Sequence, residues 1–133
     1  MILHKNVFVE ITYEKEFSLV INKFFESTDD MSTDDFKKEM HIFAEICQKY
    51  KPEKELAHLR DMKYIIVPDV QLWMNEEIFP KYENIIKRMA FVIPSDVFAE
   101  VAVEQTMEEE TGMKFDHEYF DNEDDARKWL MKD

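Results

Sequence analysis

Apolar residues fall at alternate positions near the start of the chain: Val7, Val9, Ile11 and Tyr13, separated by polar or intermediate residues. That spacing predicts a strand with one buried face. After the polar Glu14-Lys15-Glu16, Phe17, Leu19 and Ile21 alternate again. Two such runs so close together predict an antiparallel hairpin. The period then changes. Phe36, Met40, Phe43, Cys47 and Tyr50 recur at three- and four-residue steps, one face of a helix over roughly residues 33–50 that Pro52 ends. Ser32 and Asp35 stand at capping-box spacing, with Asp in place of Glu.

Leu56 to Arg60 is short and bounded by charge, and reads as a third strand. Pro68 opens a second helix, Asp69 to about Lys81, whose apolar side carries Val70, Trp73, Met74 and Ile78 and which Pro80 kinks or ends. Met89 to Ile93 is uninterruptedly apolar, as in a parallel strand covered on both faces. Ser95 is expected to cap the next helix, and Gly112, the one glycine, to close it in a left-handed conformation. Lys114 to Phe120 reads as a fifth strand. Asp121 or Asn122 then caps a last helix bearing Ala126, Trp129 and Leu130.

The order is β-β-α-β-α-β-α-β-α. It predicts an α/β domain with a mixed four- to five-stranded sheet, an N-terminal hairpin and about four helices. With no repeat or linker, residues 1–133 read as a single domain. The composition, 45% hydrophobic and 35% charged, is that of a folded core rather than a disordered chain. A net charge of −13 argues against nucleic acid and against an anionic membrane surface as partners, and favours a basic protein partner or simple solubility. No apolar run resembles a secretory signal or a membrane span, so a cytoplasmic location is expected.

Candidate chemistry is sparse. One glycine rules out the common phosphate-binding loops and the nucleophile elbow, so no cofactor is expected. The lone Cys47 reads as a small apolar core residue. Glu100, Glu104 and Glu108 form an i, i+4, i+8 stripe that is either a solvated face, a surface for a basic partner or a set of oxygen ligands for a cation. No histidine pair stands at metal-ligand spacing among His4, His41, His58 and His117, so no metal site is expected. His58 shares one side of its strand with Leu56 and Arg60. It is either a structural histidine paired with a charge or, beside a carboxylate, an acid–base group. Trp73, Trp129 and nine methionines are either plain core or the lining of an apolar pocket.

The stretches RDMKYIIVPDVQLWMNEEIFPKY, MAFVIPSDVFAEVAVEQTMEEETG and YFDNEDDARKWL, in this order, make the chain resemble the small bacterial SpoIIAA-like proteins. These are grouped with STAS and SEC14-like (CRAL-TRIO) domains. The resemblance implies a mixed sheet with helices mainly on one face, and a binding or regulatory role. In anti-sigma-factor antagonists of the STAS type, a serine or threonine at the helix start after the central strand accepts a phosphate. Here that place falls between Asp61 and Asp69, and no serine or threonine occurs from Asp34 to Pro94. The resemblance therefore implies the fold without this phospho-switch. The expected role is a non-enzymatic regulatory or interaction domain, with an unidentified protein partner or a second copy of itself in a homodimer. A carrier or sensor of a small apolar ligand or lipid is the alternative, and a hydrolase using His58 a third. His58, Arg60, Asp61, Tyr64, Ile66, Asp69 and Trp73 are the expected contact residues.

Overall fold

The computed structural model describes residues 1–132. Its centre is a six-stranded sheet in the spatial order of the chain: β1 (Ile2–Lys5), β2 (Val9–Glu14), β3 (Leu19–Phe24), β4 (Lys54–His58), β5 (Arg88–Val92) and β6 (Asp116–Phe120). β2 runs antiparallel to both of its neighbours, β1 and β3, and β3 through β6 run parallel. Four α-helices join the parallel strands or follow them: α1 (Thr33–Tyr50), α2 (Pro68–Trp73), α3 (Val97–Glu108) and α4 (Glu123–Leu130). The mixed α/β class, the hairpin and the alternation of strands with helices are those expected, with one strand more.

The extra strand is β1. The alternation in the sequence starts at Val7, so no strand is expected before it. The chain turns at Asn6, whose side-chain Oδ1 accepts from Phe8 N (2.8 Å) and Val9 N (3.0 Å). Such an Asx turn needs neither glycine nor proline. A bulge between Ile2 and His4 then shifts the β1–β2 register.

Side chains of one sheet face, including Val9, Ile11, Val20, Phe24, Ala57, Met89 and Phe91, pack under α1, α2 and α3 in the larger core. The other face carries a smaller core, in which Leu19, Leu56, Ala90 and Val92 meet Ala126 and Leu130 of α4. Cys47 is buried in the larger core, and burial pushes its thiol far above the ordinary range.

The helix ends show where local chemistry decides. Ser32 and Asp35 form the expected reciprocal capping box at α1. Asp96, rather than Ser95, caps α3, accepting from Ala99 N at 3.0 Å. Ser95 is drawn away to donate to Arg60 O (3.2 Å). Gly112 has no positive φ, so the left-handed stop expected there is absent. Glycine is required because a Cβ would lie 2.7 Å from Thr106 O and 2.8 Å from Met107 Cα. The second helix is also shorter than its pattern. After Trp73 it widens into a π turn (Met74–Ile78) and tightens into a 3-10 turn (Phe79–Lys81) around Pro80. Asn75 supports this passage, donating to Gln71 O and Thr106 O and accepting from Gly112 N.

Candidate functional site

The carboxyl ends of parallel strands gather loops and helix starts, so ligand and partner contacts concentrate there. Here three strand ends are stitched together. Leu59 N donates to Val92 O (3.0 Å), and Ile93 N donates to Phe120 O (3.0 Å). Ser95 N and Oγ both donate to Arg60 O, and the Arg60 guanidinium donates to Asp121 O. Arg60 thus acts as a clip across β4, β5 and β6.

The connection from Met62 to Val67 is extended and alternates in its exposure. Tyr64 turns inward, stacks on Phe36 with ring centroids 4.6 Å apart, and places its hydroxyl 3.2 Å from Thr33 Oγ1. Ile66 is buried beside it, while Ile65 and Val67 point outward. The following helix α2 is tied to α3 by a hydrogen bond from Gln71 Nε2 to Gln105 Oε1 (3.2 Å). On α3, Ala99, Ala102, Val103 and Thr106 face the core. Two alanines on that face let the helix approach the sheet closely and leave Val97, Phe98 and Val101 to solvent. Phe98 is 74% exposed and Val97 65%. With Ile65, Val67 and Leu72, they make an exposed apolar surface where α2 and α3 begin. Asp69 stands exposed in the first turn of α2, and Glu100 is half-buried in the first turn of α3.

The seven expected contact residues do not converge. Asp61, Asp69 and Arg60 are exposed at the strand ends. Tyr64 and Ile66 belong to the larger core. Trp73 is half-buried against α1, with its ring 5.4 Å from that of His41 and Lys37 Nζ 5.2 Å above it. His58 lies at the end of β4 on the α4 side of the sheet. Its Nε2 is 3.6 Å from Glu123 Oε1, and its Nδ1 is buried without a partner. Burial, assisted by Lys23, holds its pKa below the usual histidine range against the pull of Glu123. Glu123 in turn accepts from Arg127 Nε (2.8 Å), and Arg127 forks onto Glu14 at 3.0 and 2.7 Å. This fork lowers the pKa of Glu14 and raises that of Arg127.

The stripe Glu100, Glu104, Glu108 runs along α3. Glu104 and Glu108 lie toward Tyr119 of β6, whose hydroxyl is pushed up to about 12, first by burial and then by these carboxylates. Among the described residues no three His, Cys, Asp or Glu side chains come together as metal ligands. Nor is any described helix long and apolar enough to cross a membrane.

The larger core contains a cavity of about 60 Å³ between the sheet, α1, α3 and the turns that follow α2. Two polar side chains in its wall, Asn22 and Glu55, escaped attention in the sequence. The exposed apolar residues Ile65, Val67, Leu72, Val97, Phe98 and Val101 were missed as well. Their available signal was that α3 carries apolar residues outside its Ala99–Ala102–Thr106 stripe.

No curated protein and no solved structure matches the chain. A family model described as SpoIIAA-like matches residues 24–131, from the end of β3 through α4. The match spans every parallel crossover and most of both cores, and the chain belongs to the SpoIIAA-like family.

Proposed function

We propose that this protein is a non-enzymatic interaction module that docks a protein partner on the apolar surface where α2 and α3 begin. SpoIIAA-like STAS domains are generally regulatory rather than catalytic. The observation that carries the reading is Phe98, with Val97 and Val101, standing in solvent on a helix whose inner face is already packed. The partner is a protein with an apolar contact ringed by basic side chains, because Asp69 and Glu100 stand in the first turns of α2 and α3 and the chain carries −13 overall. Two copies of this chain meeting through the patch would bring like charges together, which favours a different partner over a homodimer.

A carrier of lipid-sized ligands has less support, since pockets for drug-sized molecules run from about 300 Å³ upward and the cavity holds about 60 Å³. A hydrolase using His58 has less still. Its Nε2 is beyond hydrogen-bond distance of Glu123, and the other candidate side chains lie elsewhere.

The test places a photo-crosslinking residue at Phe98 and, separately, at the exposed Lys49 of α1. A discrete heteromeric product from the first position alone is expected, weakened by Val101→Asp and by raised salt. Val101→Asp itself should leave stability within about 0.5 kcal/mol, because the side chain it replaces is exposed. Products of equal yield from both positions, or only a self-crosslink, would overturn the reading.

A further inference from the structure

The cavity in the larger core is not uniformly apolar. Asn22 and Glu55 are each only 4% exposed, and both line it. They rise from adjacent parallel strands: Val20 pairs in register with Glu55, and Asn22 with Ala57, so the two side chains are diagonal neighbours on the same face. Asn22 Oδ1 and Glu55 Oε1 are buried without a hydrogen-bond partner. A buried polar atom left unpaired is costly, and two beside one space are a recognition surface awaiting donors.

The rest of the wall fixes the class of molecule. No lysine, arginine or histidine lines the cavity, so an anion would meet two acceptor oxygens and no countercharge. A cation would require an ionised carboxylate among aromatic and thioether groups, where charge is most expensive. A neutral Glu55 carboxyl also offers an O–H. The best match is therefore an uncharged group that both donates and accepts. The volume sets the size: about 60 Å³ corresponds to roughly two water volumes. Five methionines in the wall, Met40, Met62, Met74, Met89 and Met107, have flexible side chains that can admit such a molecule without moving the backbone.

We propose that the space between Asn22 and Glu55 is a binding site for a small uncharged hydroxyl or primary amide group, on the order of three or four heavy atoms in size. Asn22 Oδ1 accepts the ligand's O–H or N–H, Glu55 supplies the second polar contact, and the methionines close around its carbon atoms. The site is separate from the surface where α2 and α3 begin, so it stands or falls independently of the docking function.

The methionines supply the experiment. Methyl-labelled methionine in the full chain is observed by NMR while ethanol, acetamide, acetate and methylammonium are titrated in turn. Ethanol or acetamide should shift the five cavity methyls saturably, with a Kd in the millimolar range, and leave the exposed Met1, Met113 and Met131 unmoved. Asn22→Leu should weaken this by about tenfold, the loss of one buried hydrogen bond. The wild-type titrations alone decide the matter if Asn22→Leu fails to fold. Uniform, unsaturable shifts at all methionines would overturn the proposal. So would saturable binding of acetate or methylammonium in preference to the neutral probes.

Discussion

Two glutamates are buried to the same degree and live in opposite circumstances. Glu39 of α1 is 4% exposed, yet its carboxylate meets His4 Nε2 at 3.0 Å and Asn6 Nδ2 at 2.7 Å. Glu55 of β4, also 4% exposed, has Oε1 orphaned in the larger core. Glu39 lies where an edge strand can bend polar side chains over it, and the β1 bulge and the Asn6 turn provide them. Glu55 lies mid-sheet, among Tyr82, Cys47 and the cavity wall, none of which is basic. The difference teaches that burial alone does not set the cost of a carboxyl; the availability of donors does.

The largest expected effect concerns Glu55. Burial pushes its carboxyl from the ordinary 4.5 up to about 8. Between those values the folded chain keeps a proton that the unfolded chain has released. Stability therefore falls as pH rises from 4.5 to about 8, by about 5 kcal/mol, and is flat above. Cys47 and Tyr82 face the same carboxyl, and both have their own pKa raised, so neither ionises to offset it in this range. His58 contributes with the opposite sign, because its folded pKa is depressed and its stabilising share grows as pH rises toward the usual histidine value. Denaturation of wild type and Glu55→Gln at pH 5 and pH 8 separates the two. The variant should lose the Glu55 decline and be the more stable protein at pH 8. An identical pH dependence in both proteins would erase the contrast with Glu39.

Next in size is Asn6→Ala. It removes a partner of Glu39 and the acceptor that holds the turn into β2. Urea unfolding should register a loss of about 2–3 kcal/mol, against about 1 kcal/mol for His4→Ala, which leaves the Asn6 contact in place. Equal losses would show that the Asn6 turn adds nothing beyond the contact with Glu39.

The smallest effect is expected from Arg127→Ala. Glu14 and Arg127 are partly exposed, at 28% and 31% for their side chains, so solvent screening reduces the pair to about 1 kcal/mol or less despite its forked geometry. Because Arg127 lowers the pKa of Glu14, that share is present above pH 4.5 and lost as pH falls below it. Acid titration of wild type should show a decline that the variant lacks. A loss of several kcal/mol at neutral pH would place Glu14 with the buried glutamates.

Much of the fold was legible because burial writes itself into spacing. The α1 stripe, the apolar β5 run and the capping box at Ser32 each express one local rule. The missing pieces depend on contacts that spacing does not encode. The alternation that starts at Val7 gives no sign of β1 before it, which depends on a turn made by one asparagine side chain. Asp96 takes the cap because Ser95 is occupied by Arg60 across the sheet. Gly112 answers a close approach to the end of α3 rather than a dihedral requirement. The candidate site was legible only as a region. The loop from Asp61 to Asp69 is at the strand ends as expected, but which residues face outward was inverted by a single-residue alternation: Tyr64 and Ile66 are buried, while Ile65 and Val67 are exposed. Glu55 and Asn22 were passed over because a polar residue within an apolar strand carries no label for whether a partner awaits it.

The position of β3 has a wider consequence. Among the described residues it is the only strand with an antiparallel neighbour on one side and a parallel neighbour on the other. The family match begins at its last residue, Phe24. Similarity of sequence and cooperativity of folding therefore have different borders in this molecule. A fragment cut at the edge of the match would leave β4 with a bare flank, and the large core without Val9, Ile11 and Val20. The hairpin lies outside the match, yet its side chains complete the cores that the crossovers build.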